Sequence, residues 1–293
     1  MGFGSVGALL RAAEDMPLWE AVLLDDCRDR GADKKDSLER MTALWRAMVR
    51  SVDEYDPKKR SPSGLAGGQA AKMAGAENTL CGPYMGRVMA TALSVAEQNA
   101  CMGRIVAAPT AGASGVLPAV LLPLRAREGL SEEELVRCLY VAAGFGQVIA
   151  TRASVSGAEH GCQAEIGSAS GMAAAALVHA MGGTPGQMAD ACAMALQNVM
   201  GLVCDPVAGL VEEPCVKRNV LGAVNAMAAA DMALAGIASA IPCDQVIDAM
   251  AAVGRAMPAA LRETGEGGIA ATPAGRKIAQ KNSRKPGSGE SVS

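Results

Sequence analysis

Apolar residues recur at helical intervals along most of this chain. Leu38, Met41, Leu44, Trp45, Met48 and Val52 fall at i, i+3, i+4 and i+7 steps, and Leu18, Val22 and Leu23 precede them across a break at Gly31. The pattern predicts two amphipathic helices over residues 18–55. Residues 56–68, rich in Lys, Pro, Ser and Gly, read as a linker. From there to about residue 271 nearly every position is small or apolar. Gly and Pro divide this stretch into helical runs at about 84–102, 116–124, 132–148, 168–181, 187–200, 216–238 and 244–257. Ser131 followed by Glu134 predicts a capping box at the start of one of them. Runs that are apolar almost all round belong at the centre of a bundle. The expected fold is all-α: a compact helical domain (61–276) with nearly apolar central helices and Gly/Pro-rich loops, an amphipathic amino-terminal segment (1–60) and a flexible, basic, then Gly/Ser-rich tail (277–293).

Composition sharpens this picture. Aromatic residues make up only 2% while Met numbers 17, so packing must rest on Ala, Leu, Val and Met, which suit closely approaching helices. A net charge of −3, without a clustered basic face, gives no electrostatic footprint for nucleic acid. The longest apolar stretch, 172–181, is too short and too interrupted to span a bilayer. The opening MGFGSVGALL has no basic n-region, long apolar h-region or cleavage signal, and the cysteines number nine, an odd count. These features predict reduced thiols and a cytoplasmic protein.

Three of those thiols stand out. Cys162 in GAEHGCQAEIG, Cys204 in VCDPVAG and Cys215 in EEPCVKRN lie among Gly, Pro and charged residues, whereas most of the others fall within helical runs. Pro206, Gly209 and Pro214 would hold Cys204 and Cys215 on one rigid loop. Three thiolates suit an iron–sulfur cluster or zinc, and leave either one ligand short, the vacancy that catalytic centres keep. Their spacing matches neither zinc fingers nor ferredoxins, and buried core cysteines remain the alternative.

The stretches APTAGASGVLPAVL, SGAEHGCQAEIGSASGMAAA, GLVCDPVAGLVEEPCVKRN and RETGEGGIAATPAGRKIA resemble the α chain of the oxygen-sensitive, iron–sulfur L-serine dehydratases, over about residues 63–277. The resemblance implies an all-helical catalytic domain that converts L-serine to pyruvate and ammonia without pyridoxal phosphate. It also implies a [4Fe–4S] cluster on Cys162, Cys204 and Cys215. Single-chain members of that family carry a second, α/β domain with a Ser-His-Thr motif that has no counterpart here, so a separate β subunit is expected, within an oligomer.

The remaining candidates are placed by chemistry. Residues 108–115 lead into a helical run, so their amides, with Thr110, Gly112 and Ser114, are expected to bind the substrate carboxylate. Asn99, Arg218 and Asn219 are further candidate substrate contacts. Glu159, His160 and Glu165 beside Cys162 are the candidate bases, with Lys72 as a candidate charge partner. Three other readings are weighed: a pyridoxal-phosphate eliminase, for which no lysine motif is evident; a helical interaction module stapled by zinc through the thiolates and His160; and an L-cysteine desulfidase on the same scaffold.

Overall fold

A computed structural model describes residues 2–283, and among them there is no strand. Thirteen α-helices follow one another: α1 Val6–Ala12, α2 Leu18–Arg30, α3 Lys34–Asp53, α4 Gln69–Ala74, α5 Gly82–Ala100, α6 Val116–Glu128, α7 Glu132–Arg152, α8 Gly157–His160, α9 Ser168–Ala180, α10 Pro185–Asn198, α11 Cys215–Leu234, α12 Cys243–Ala256 and α13 Pro273–Ser283. The all-α expectation holds.

Local chemistry sets the helix ends. The Asp33 side chain accepts the Asp36 N–H at the start of α3, while Gly31, at φ 62°, closes α2 in the left-handed conformation that glycine tolerates. Ser131 and Glu134 form the expected capping box on α7, and Thr184 and Gln187 form a second on α10. The run predicted over 116–124 passes through Pro123 and continues to Glu128. Leu117, Val120, Leu121 and Leu124 are all buried, and this packing outweighs the hydrogen bond that the proline removes.

Helix α9 is the centre of the bundle. Every residue from Ser168 to Val178 is buried, and α6, α7, α10 and α11 surround it. Its Ala-rich surface lets those neighbours approach closely, as the shortage of aromatics required. The amino-terminal helices are not separate from this core, because Leu9, Leu18, Leu23, Trp45 and Met48 join the same apolar cluster as α7 and α9. Residues 56–68 are likewise docked: Ser61 and Ala66 are buried, and Ser61 and Ser63 both donate to Glu212 Oε2, at 2.5 and 2.6 Å. Helix α13 takes in residues expected in the tail, whose last ten residues, 284–293, lie outside the described region. No helix of the described residues is long and apolar enough to cross a membrane.

Candidate functional site

Three segments bring Cys162, Cys204 and Cys215 together. Cys162 opens a turn of π-helix over Gln163–Gly167 that runs into α9, Cys204 lies in the extended segment after α10, and Cys215 begins α11. All three are buried. Burial pushes the Cys162 thiol up to about 11 and the Cys215 thiol up to about 12, and it raises the Cys204 thiol as well. Cys162 and Cys215 each raise Cys204, and Cys162 raises Cys215, which places the three near one another.

Cys204 is fixed through its backbone. Its N–H donates to Leu261 O at 2.9 Å and its carbonyl accepts from Glu263 N at 2.7 Å, a short parallel bridge to residues 259–271. That strap is pinned again by Asp205. Its buried carboxylate accepts Ile269 N at 2.8 Å through one oxygen and Arg218 Nη2 at 2.8 Å through the other. Arg218 also donates to Val203 O, and its charge lowers the Cys162 thiol against the effect of burial. The structure gives Arg218 to Asp205, Lys217 to Glu213, and the Ser61 and Ser63 hydroxyls to Glu212.

Glu165 lies among the thiols, on the π turn, an irregularity frequent at functional sites. Its Oε2 is 3.9 Å from Cys204 Sγ. Two glycines make room for it: a Cβ on Gly112 would stand 3.2 Å from its Oε1, and one on Gly157 would stand 2.7 Å from its Oε2 and 3.0 Å from Cys204 Sγ. Burial raises the Glu165 carboxyl, and the nearby Thr110 hydroxyl lowers it. The Thr110 and Ser114 hydroxyls are buried without a hydrogen-bond partner of ordinary geometry.

The other candidates sort differently. Glu159 is exposed and accepts the Ser154 hydroxyl at 2.5 Å. His160 packs against Gly254 of α12, and its Nδ1 is buried without a partner. Lys72 is exposed on α4. Of the four catalytic candidates, only Glu165 sits with the thiols. Asn99 Nδ2 donates to Ala111 O at 3.2 Å. The buried Asn219 amide accepts from Gly115 N at 2.9 Å and donates to Gly112 O at 2.8 Å and Cys215 O at 2.9 Å. Both asparagines therefore hold the 108–115 loop in place. The amides of Ala108, Ala113, Ser114 and Gly115 are already donated within the protein and Pro109 has none, which narrows the expected anion nest to Thr110, Ala111 and Gly112.

Sequence reasoning missed Asp205 and also Glu97, a buried carboxylate that accepts the Tyr55 hydroxyl and the backbone N–H groups of Gly67, Gln69 and Ala70. Neither residue has a local sequence signal, because their partners lie far along the chain.

Among the described residues no group of three or more His, Cys, Asp or Glu side chains is arranged to hold a metal ion. Three buried thiols near one another are a soft donor set, of the chemistry that iron–sulfur clusters and zinc take.

A family model described as serine dehydratase alpha chain matches residues 13–270. The chain is 52% identical over 251 residues to the probable L-serine dehydratase alpha chain of Bacillus subtilis, covering 85% of this chain and 84% of that one. It is 50% identical over 200 residues to the L-serine dehydratase alpha chain of Peptoniphilus asaccharolyticus, 68% of each. Against the L-serine dehydratase of Streptomyces coelicolor it is 37% identical over 269 residues, 89% of this chain but 59% of that longer one.

Proposed function

The chain belongs to the serine dehydratase alpha-chain family, and from that premise we propose that it is the cluster-bearing subunit of a lyase that converts L-serine to pyruvate and ammonia. One observation carries the reading: three buried thiols from separate segments meet beside a carboxylate that two glycines keep uncovered. Cys162, Cys204 and Cys215 would hold a [4Fe–4S] cluster. When bound, it supplies an iron without a protein thiolate, a Lewis acid for the departing hydroxyl and for a substrate carboxylate oxygen.

The chain's own groups supply the rest. Glu165 takes the α-proton of serine, and hydroxide leaves from the β-carbon. The resulting enamine tautomerises and hydrolyses to pyruvate and ammonium without further help. The Thr110 hydroxyl lies beside the Glu165 carboxyl and helps position it, and Arg218, held by Asp205 and Val203 O, balances negative charge at the thiolates. Asn99 and Asn219 keep the 108–115 loop at a fixed distance from Cys215. The names of the Bacillus and Peptoniphilus relatives support a separate β subunit as partner.

The test is anaerobic purification with the β chain, iron and sulfide counts, and pyruvate formation from L-serine. Cys204→Ala is expected to lose the brown chromophore and turnover together. An unaltered chromophore in that variant would overturn the ligand assignment, and a colourless but fully active wild type would overturn the role of the cluster.

A further inference from the structure

The strap over the thiol pocket carries an anionic side chain for which the fold shows no internal use. Glu263 adopts φ 65°, left-handed backbone that side-chain-bearing residues rarely enter, although glycines stand close by in the same RETGEGG stretch. Such an outlier persists only where its surroundings impose it, and these do: its N–H is bonded to Cys204 O, while Leu261 O accepts from Cys204 N. Among the described residues no hydrogen bond or ion pair uses the Glu263 carboxylate, which is exposed. Its charge nevertheless reaches inward, raising Glu165, Cys204 and Cys215.

The charge balance of the pocket points the same way. Two carboxylates, Glu165 and Glu263, accompany three thiols. The nearest guanidinium, that of Arg218, is already committed to Asp205 and Val203 O. Arg262, next along the strap, reaches the Glu159 carbonyl instead. A zwitterionic substrate brings one cation, its α-ammonium group. Its carboxylate and hydroxyl are taken up elsewhere if the proposed function holds, and the present inference rests on that reading.

We propose that Glu263 is the counter-charge for the substrate's α-ammonium group, and that it selects 2-amino acids over the corresponding 2-hydroxy acids. The bond from Glu263 N to Cys204 O holds this residue beside the thiols, and the left-handed backbone is imposed by that bond.

The experiment uses the anaerobic holoenzyme with its β chain, and compares wild type with Glu263→Gln and Glu263→Asp. Inhibition of serine turnover is measured with L-alanine, which keeps the ammonium group, and L-lactate, which has a hydroxyl in its place. In Glu263→Gln, KM for L-serine and the inhibition constant of L-alanine are expected to rise roughly tenfold, as for loss of a partly desolvated charge pair. The L-lactate constant and kcat should change less than about twofold, with the iron and sulfide content unaltered, and Glu263→Asp should recover part of the loss. Equal weakening of both inhibitors, no weakening of either, or loss of the cluster in Glu263→Gln would each overturn the assignment while leaving the proposed activity intact. A wild-type complex that forms no pyruvate from L-serine would overturn the proposed function and this inference with it.

Discussion

Replacing Asn219 by Ala tests whether this side chain binds substrate or holds the protein together. The amide is 1% exposed and makes three hydrogen bonds, to Gly115 N, Gly112 O and Cys215 O, all between 2.8 and 2.9 Å. At about 1 kcal/mol net for each bond, their loss costs roughly 3 kcal/mol, and the Gly115 N–H left buried without a partner adds about 1–2 kcal/mol. The expected loss is therefore about 4–5 kcal/mol, a large share of the roughly 5–15 kcal/mol typical of a native protein. Urea unfolding of the cluster-free chain measures it as a lower midpoint at unchanged slope. Hydrogen exchange should show faster opening at residues 111–116. Asn219→Asp is the sharper variant, because it keeps an acceptor for Gly115 N but turns an oxygen toward the carbonyls of Gly112 and Cys215. It should be no more stable than Asn219→Ala. If Asn219→Ala unfolds within about 0.5 kcal/mol of wild type, the size of a neutral surface change, and only KM for serine rises, Asn219 is a ligand contact and the reasoning fails.

Three further outcomes follow from the same geometry. Gly157→Ala places a methyl group against Glu165 Oε2 and Cys204 Sγ, so the variant should retain its helical circular dichroism and take up less iron than wild type; full iron incorporation would contradict the packing described. Glu97→Gln puts amide hydrogens where the N–H groups of Gly67, Gln69 and Ala70 now find a carboxylate, at a cost of about 2–3 kcal/mol, and limited proteolysis is expected to cut within residues 61–74 faster in the variant than in the wild type; equal rates would contradict this. Burial raises the hydroxyls of Tyr84 and Tyr140, and burial together with Glu97 raises Tyr55 to about 12. The folded state therefore holds these protons more tightly than the unfolded chain. The stability they contribute is complete below pH 10 and is lost as pH rises through that value toward 12. Ultraviolet titration should show little tyrosinate at pH 10, and a normal midpoint would refute this.

Much of the fold is legible in the sequence because helix-forming patterns are local. The periodicity around Trp45, the Ser131–Glu134 cap and the uniformly apolar run of α9 each report a neighbourhood a few residues wide. The three cysteines are legible for a related reason, since their Gly- and Pro-rich surroundings are unlike those of core thiols. What escapes is long-range. His160 is two residues from Cys162 in sequence, yet the short α8 turn sends its ring against Gly254. Asp205 and Glu97 look like ordinary surface carboxylates until distant backbone N–H groups are folded onto them. The Glu263 backbone is shaped by the carbonyl of Cys204, and no nearby residue announces it.

The bridge between Cys204 and the strap also orders events during synthesis. A ribosome delivers all three sulfur donors before Leu261 and Glu263 emerge, so a nascent chain can bury its central helices while this side of the pocket is still missing. On the proposed function, cluster loading would belong to a late stage, in a polypeptide whose bundle is already formed and whose last closing stretch has yet to settle. A chain ending before residue 259 would keep α1 to α12 while leaving Cys204 without its backbone anchor.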